Sequence, residues 1–258
     1  MQERFEAVLK RRLQVEVEKQ PPLFPWESQL VEYSDVVEER SPALSPHWGW
    51  IAQQSKLNLP IPLPEKVFQE LLAKCQGLIT SSLPLGAKLV QVVEDFFPNE
   101  SQTINDLAGL VLRSTYRSVD TLDTMPEIHE DYSDLQPRQQ MALSLLAAKE
   151  LLDNLTLPVS SAHPVLERQW LTSAGTLTLR VEYQSQDGLT QLSVDCKLPA
   201  RGILKLEGHG NQAVAHSDTP GNLSVELYCN QPLPIYTLEV DFPELDQQPL
   251  LFVISPKI

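Results

Sequence analysis

The sequence predicts an α+β protein, with an N-terminal small helical bundle followed by a C-terminal antiparallel β-sandwich. Three observations carry this. Apolar residues recur at helical spacing upstream of Leu157 and alternate downstream of it. In the downstream part Gly, Pro, Asn and Asp punctuate the chain every ~8–12 residues, the rhythm of antiparallel strands in a sandwich. Finally, 258 residues with 42% hydrophobic content can fill sizeable cores. The expected organisation is an N-terminal helix and extended Pro/Trp-rich arm over residues 1–60, a helical domain over 61–157 with an acidic loop at 120–134, and a sandwich domain over 158–258.

Taken in order, residues 1–19 suit a helix with Phe5, Val8, Leu9 and Leu13 on one side and Lys10, Arg11 and Arg12 on another, an ordinary charged face. Pro64 marks the start of a further helix, in which Val67, Phe68, Leu71, Leu72, Cys75, Leu78 and Ile79 make one apolar stripe. The next carries Leu85, Leu89, Val92, Val93, Phe96 and Phe97 and should stop at Pro98. A third starts from Asn99 or Ser101 as cap and places Ile104, Leu107, Ala108, Val111 and Leu112 together. Residues 137–155, PRQQMALSLLAAKELLDNL, are apolar on two sides, so this helix needs cover from more than one direction. Eight strands are then expected, near residues 165–171, 177–183, 192–198, 203–206, 213–215, 223–229, 236–242 and 251–255.

Charge excludes some functions. With 34 acidic against 20 basic side chains the formal charge is −14, which repels nucleic acid and anionic lipid on average. Direct nucleic-acid binding and membrane association are not expected, and no run approaches the ~18 apolar residues of a membrane span. The three cysteines form no C-x-x-C pair, which fits a reducing, cytoplasmic compartment. The five histidines have no metal-ligand spacing, and neither a phosphate-binding loop nor a nucleophile elbow occurs. No catalytic residue, metal or cofactor is therefore expected. Cys75, Cys196 and Cys229 fall on inward registers and read as small buried hydrophobes.

What stands out is PPLFPWESQLVEYSD at residues 21–35, followed by SPHWGW at 45–50. Leu23, Phe24, Trp26, Tyr33, Trp48 and Trp50 lie among prolines, outside any helix or strand pattern, so they must dock elsewhere: on this protein's own core or in a partner's groove. A proline-stiffened segment loses little entropy on binding, and Trp and Phe make efficient anchors. Glu27, Glu32, Asp35 and Glu38 would steer such an arm to a basic surface.

The stretches PPLFPWESQLVEYSD, NLPIPLPEKVFQELLAKCQ, LQPRQQMALSLLAAKELLDNL and ERQWLTSAGTLTLRVEYQ together resemble a PatU-like family of cyanobacterial proteins, across nearly the whole chain. The resemblance implies a cytoplasmic, non-enzymatic protein that acts through partners, among them a DNA-binding regulator, and it supplies no catalytic residue. Adaptor or regulatory action through protein contacts is the function expected. The alternative is a ligand- or carbohydrate-binding β-sandwich, disfavoured because Trp170, Tyr183, Tyr228, Tyr236, Phe242 and Phe252 fall mostly at core registers.

Overall fold

The computed structural model describes residues 53–114, 131–186, 189–208, 210–229, 234–245 and 248–257. These belong to one compact unit and mix helices with nine strands in two sheets, the C-terminal part being sheet-rich.

Four α-helices come first: α1 Glu65–Ile79, α2 Leu85–Glu94, α3 Ser101–Ser114 and α4 Pro137–Leu155, with a 3-10 turn at Tyr132–Asp134. The Pro64 carbonyl takes the first helical bond of α1, from Phe68 N–H at 3.0 Å. The α1 stripe of Phe68, Leu71, Leu72, Cys75 and Ile79 is buried as its spacing requires. Helix α2 ends at Glu94, short of the expected stop at Pro98, because Phe96 and Phe97 already belong to a turn bonded back to Val93 and Glu94. Asn99 then takes φ 75°, a left-handed conformation Asn tolerates. The Glu100 carbonyl accepts from Ile104 N–H, which makes Glu100 the residue that opens α3, in place of the expected Asn99 or Ser101.

Helix α4 occupies the span its sequence predicts and is buried almost all round, from Met141 to Leu155. It packs on α1, α2 and α3 and also reaches the strands at residues 156–160 and 250–257, the cover from more than one direction that its two apolar sides require. At its end Thr156 Oγ1 donates to the Leu152 carbonyl at 2.7 Å, and the backbone turns extended without an intervening loop.

The strands are β1 Thr156–Ser160, β2 Val165–Thr172, β3 Gly175–Gln186, β4 Leu189–Leu198, β5 Gly202–Gly208, β6 Asn211–Ser217, β7 Gly221–Cys229, β8 Tyr236–Asp241 and β9 Leu250–Lys257. One sheet runs β1-β9-β8-β5-β6 and the other β2-β3-β4-β7. Strand β1 lies outside the eight expected strands and corrects the all-antiparallel expectation: it pairs in parallel with β9, Thr156 opposite Val253 and Ser160 opposite Lys257. The reason is local. With helix α4 leading directly into TLPVS there is no turn signal to mark a strand, and Pro158 confines it to an edge. The other described pairings are antiparallel. Inward side chains of both sheets join those of the helices in one continuous core, where Trp170 of β2 meets Phe252 of β9 edge to face at 5.9 Å.

Candidate interaction surface

Leu23, Phe24, Trp26, Tyr33, Trp48 and Trp50 lie outside the described residues, as does most of the acidic stretch 120–134. What the structure does describe is the segment from Gln53 to Leu63, which follows Trp50 within three residues. It begins as a short helical turn, closed by Leu57 N–H on the Gln54 carbonyl at 3.0 Å, and runs through NLPIPLP, with Leu57 and Leu63 buried in the common core.

Glutamines fix this segment. A glutamine amide presents one acceptor and two donors, so it can stand in for a missing peptide group. Strand β2 ends its sheet and pairs with β3 alone, which leaves the outward N–H of Leu171 without a ladder partner. Gln53 Oε1 accepts that N–H at 2.8 Å, from a side chain in a residue only 1% exposed. Lys56 Nζ adds a longer contact of 3.4 Å to Gln169 Oε1 on the same strand. Gln54 closes the proline-rich turn: its Oε1 accepts the Leu63 N–H at 2.8 Å and its Nε2 donates to the Leu63 carbonyl at 3.1 Å. Prolines at 60 and 62 offer no N–H, so no regular ladder could serve this stretch. Gln76 of α1 does the same for β9, accepting the Leu251 N–H at 3.0 Å just beyond the reach of β1. No sequence pattern marks these three glutamines, because a polar residue bonded across the fold leaves no periodic trace.

A second surface lies on the outer face of the four-stranded sheet. Of the aromatics weighed for a ligand site, Trp170, Tyr183, Tyr236, Phe242 and Phe252 are buried, whereas Tyr228 is 53% exposed. Its hydroxyl donates to Glu226 Oε2 at 2.8 Å and accepts from Gln191 Nε2 at 3.0 Å. The bond to Glu226 is the main reason its pKa lies above the ordinary phenol value. Nearby, Ser224 donates to Asp195 Oδ1 at 2.6 Å, so this face is polar and internally bonded.

The thiols are poor nucleophiles. Burial pushes Cys75 and Cys196 up to about 12, which keeps both protonated at neutral pH, and Cys229 is buried as well. Among the described residues no three His, Cys, Asp or Glu side chains converge as metal ligands, and no helix is long and apolar enough to cross a membrane. Comparison with protein-family models, with curated proteins and with solved structures gives no match.

Proposed function

We propose that the protein is a non-enzymatic cytoplasmic adaptor or regulatory protein, a PatU-like scaffold whose aromatic arm binds a protein partner. In this proposal the four helices form a small bundle, the two sheets form a β-sandwich, and together they hold the arm's root in place. The observation that carries it is the Gln53 bond to the β2 edge: a segment with buried, specifically bonded anchors gives the arm a fixed origin, and a fixed origin lowers the entropy lost when Phe24 and Trp26 engage. The edge-to-face contact between Trp170 and Phe252, on strands of different sheets, supports the layered arrangement. The acidic balance of the chain favours a basic partner, such as a DNA-binding regulator.

The test is binding by the full chain with Phe24 and Trp26 both replaced by alanine. Loss of ~2–4 kcal/mol in affinity, with an unchanged melting temperature, is the result expected for exposed aromatic anchors. A similar loss of stability in the free protein would instead place the two rings on the protein's own core. Binding indifferent to salt would remove the basic partner from the proposal.

A second reading, a ligand- or carbohydrate-binding module, is favoured by Tyr228 alone, an exposed ring flanked by a carboxylate and an amide. A glycan array that detects binding lost in Tyr228→Ala would establish it over the adaptor.

A further inference from the structure

Strands that end a sheet present unpaired N–H and C=O groups, and stable monomers protect them with charge, proline, bulges or cover. Four strands end the two sheets here: β1, β6, β2 and β7. Three carry such protection. Pro158 interrupts the donors of β1. Strand β2 carries Glu167 and Arg168, and Gln53 occupies its Leu171 N–H. Strand β7 carries Glu226 on its outer face.

Strand β6, NQAVAHS, has no charge, proline or bulge of its own, and although β7 packs near it, no strand is hydrogen-bonded to its outer edge. It contains no Lys, Arg, Asp, Glu or Pro, and its ladder with β5 runs without a bulge from Gly202↔Ser217 to Gly208↔Asn211. None of its residues is buried, and Val214 is 44% exposed. The β5–β6 ladder ends on the pair Gly208↔Asn211, which two residues separate in sequence, and a pair that closes so short a connection exchanges both its hydrogen bonds. By alternation Ala213, Ala215 and Ser217 face β5, so Gln212, Val214 and His216 turn their N–H and C=O groups outward. Among the described residues nothing pairs with that edge.

We propose that β6 is a self-association edge, which pairs antiparallel with β6 of a second copy about a twofold axis at Val214. The strand is complementary to itself in this register. Val214 meets Val214, and each Gln212 amide lies opposite the imidazole of His216, a donor and acceptor pair. The three outward residues of each copy supply about six inter-chain backbone bonds. A chain of charge −14 resists association with itself over most of its surface, whereas this strand brings no like charges together. Two five-stranded sheets would thereby become one continuous sheet. This inference stands or falls independently of what the aromatic arm binds.

Sedimentation of the full chain from about 1 to about 100 μM, the range that resolves a micromolar dimer, tests it. A concentration-dependent shift to dimer mass is expected. Val214→Pro removes a donor at the axis, and Val214→Lys sets two ammonium groups against each other. Each should weaken association at least about tenfold. At a concentration where the parent chain is monomeric, circular dichroism and melting temperature should stay those of the parent chain. Because Val214→Lys alters only an exposed side chain, it keeps the test decisive if the proline variant fails to fold. A monomer at every concentration, or a dimer that Val214→Lys leaves unchanged, would overturn the proposal.

Discussion

Replacing Gln53 with alanine isolates the bond that fixes the segment 53–63 to the edge of β2. The side chain belongs to a residue 1% exposed, and its Oε1 receives the half-buried Leu171 N–H at 2.8 Å. Deleting it forfeits a net hydrogen bond, about 0.5–1.5 kcal/mol, and leaves a donor without a partner where water has limited access, for a total of about 2 kcal/mol. In a unit of this size that corresponds to a fall of roughly 4–8 °C in melting temperature. Gln69→Ala is the matched control, because Gln69 only donates to Glu65 on an exposed helix face and should stay within about 0.5 kcal/mol. Urea unfolding measures both changes, and hydrogen exchange reads Leu171 directly. Its amide should exchange at least about tenfold faster once the acceptor is gone. If Gln53→Ala were as stable as Gln69→Ala and Leu171 kept its protection, the glutamine would not be what anchors the segment.

Other outcomes follow from the same contacts. Trp170→Ala removes a ring 2% exposed that packs edge to face on Phe252, and chemical denaturation should record a loss of about 3–5 kcal/mol; a loss under 1 kcal/mol would mean that the two sheets do not depend on this contact. Cys75 and Cys196 hold their protons in the fold up to about 12, against 9.0 when unfolded, so their contribution is complete below pH 9 and fades as pH rises toward 12. The stability difference between the parent chain and Cys196→Ala should therefore shrink between pH 8.5 and 10.5, and a constant difference would contradict it. A fragment of residues 160–258 lacks nearly all of β1 and the whole of α4, both of which cover β9, so circular dichroism should show it without cooperative unfolding; a sharp, reversible melt would show that the sheets need no helical cover.

Much of this architecture was legible because it is periodic. Helix α4 could be bounded at both ends, by Pro137 and by the apolar run ending at Leu155, and the alternation of Leu223, Val225, Leu227 and Cys229 announced β7 with its buried side. Features that depend on distant partners left no such signal. TLPVS becomes a strand only because β9 lies beside it, and the end of α2 is set by a turn through Phe96 and Phe97 where the sequence pointed to Pro98. The candidate surface divides in the same way. Prolines and aromatics make the stretch from Pro21 to Trp50 conspicuous in sequence, but Gln53, Gln54 and Gln76, which bond backbone groups up to 175 positions away, look like ordinary polar residues until the fold brings their partners to them.

The place of β9 between β8 and β1 has a consequence for the order of assembly. Helix α4 and β1 are made early, yet the ladder from Thr156 to Val253 cannot form until some hundred further residues have been synthesised. On the ribosome the helices and the locally connected β2-β3-β4 meander can settle first, while the exposed edges of β1 and β8 wait for the strand that joins them. At synthesis rates of roughly 5–20 residues per second that interval lasts roughly 5–20 seconds. For most of it the nascent chain carries the open edge of β1, joined by that of β8 only shortly before β9 is made, and a holding chaperone would have to shield them.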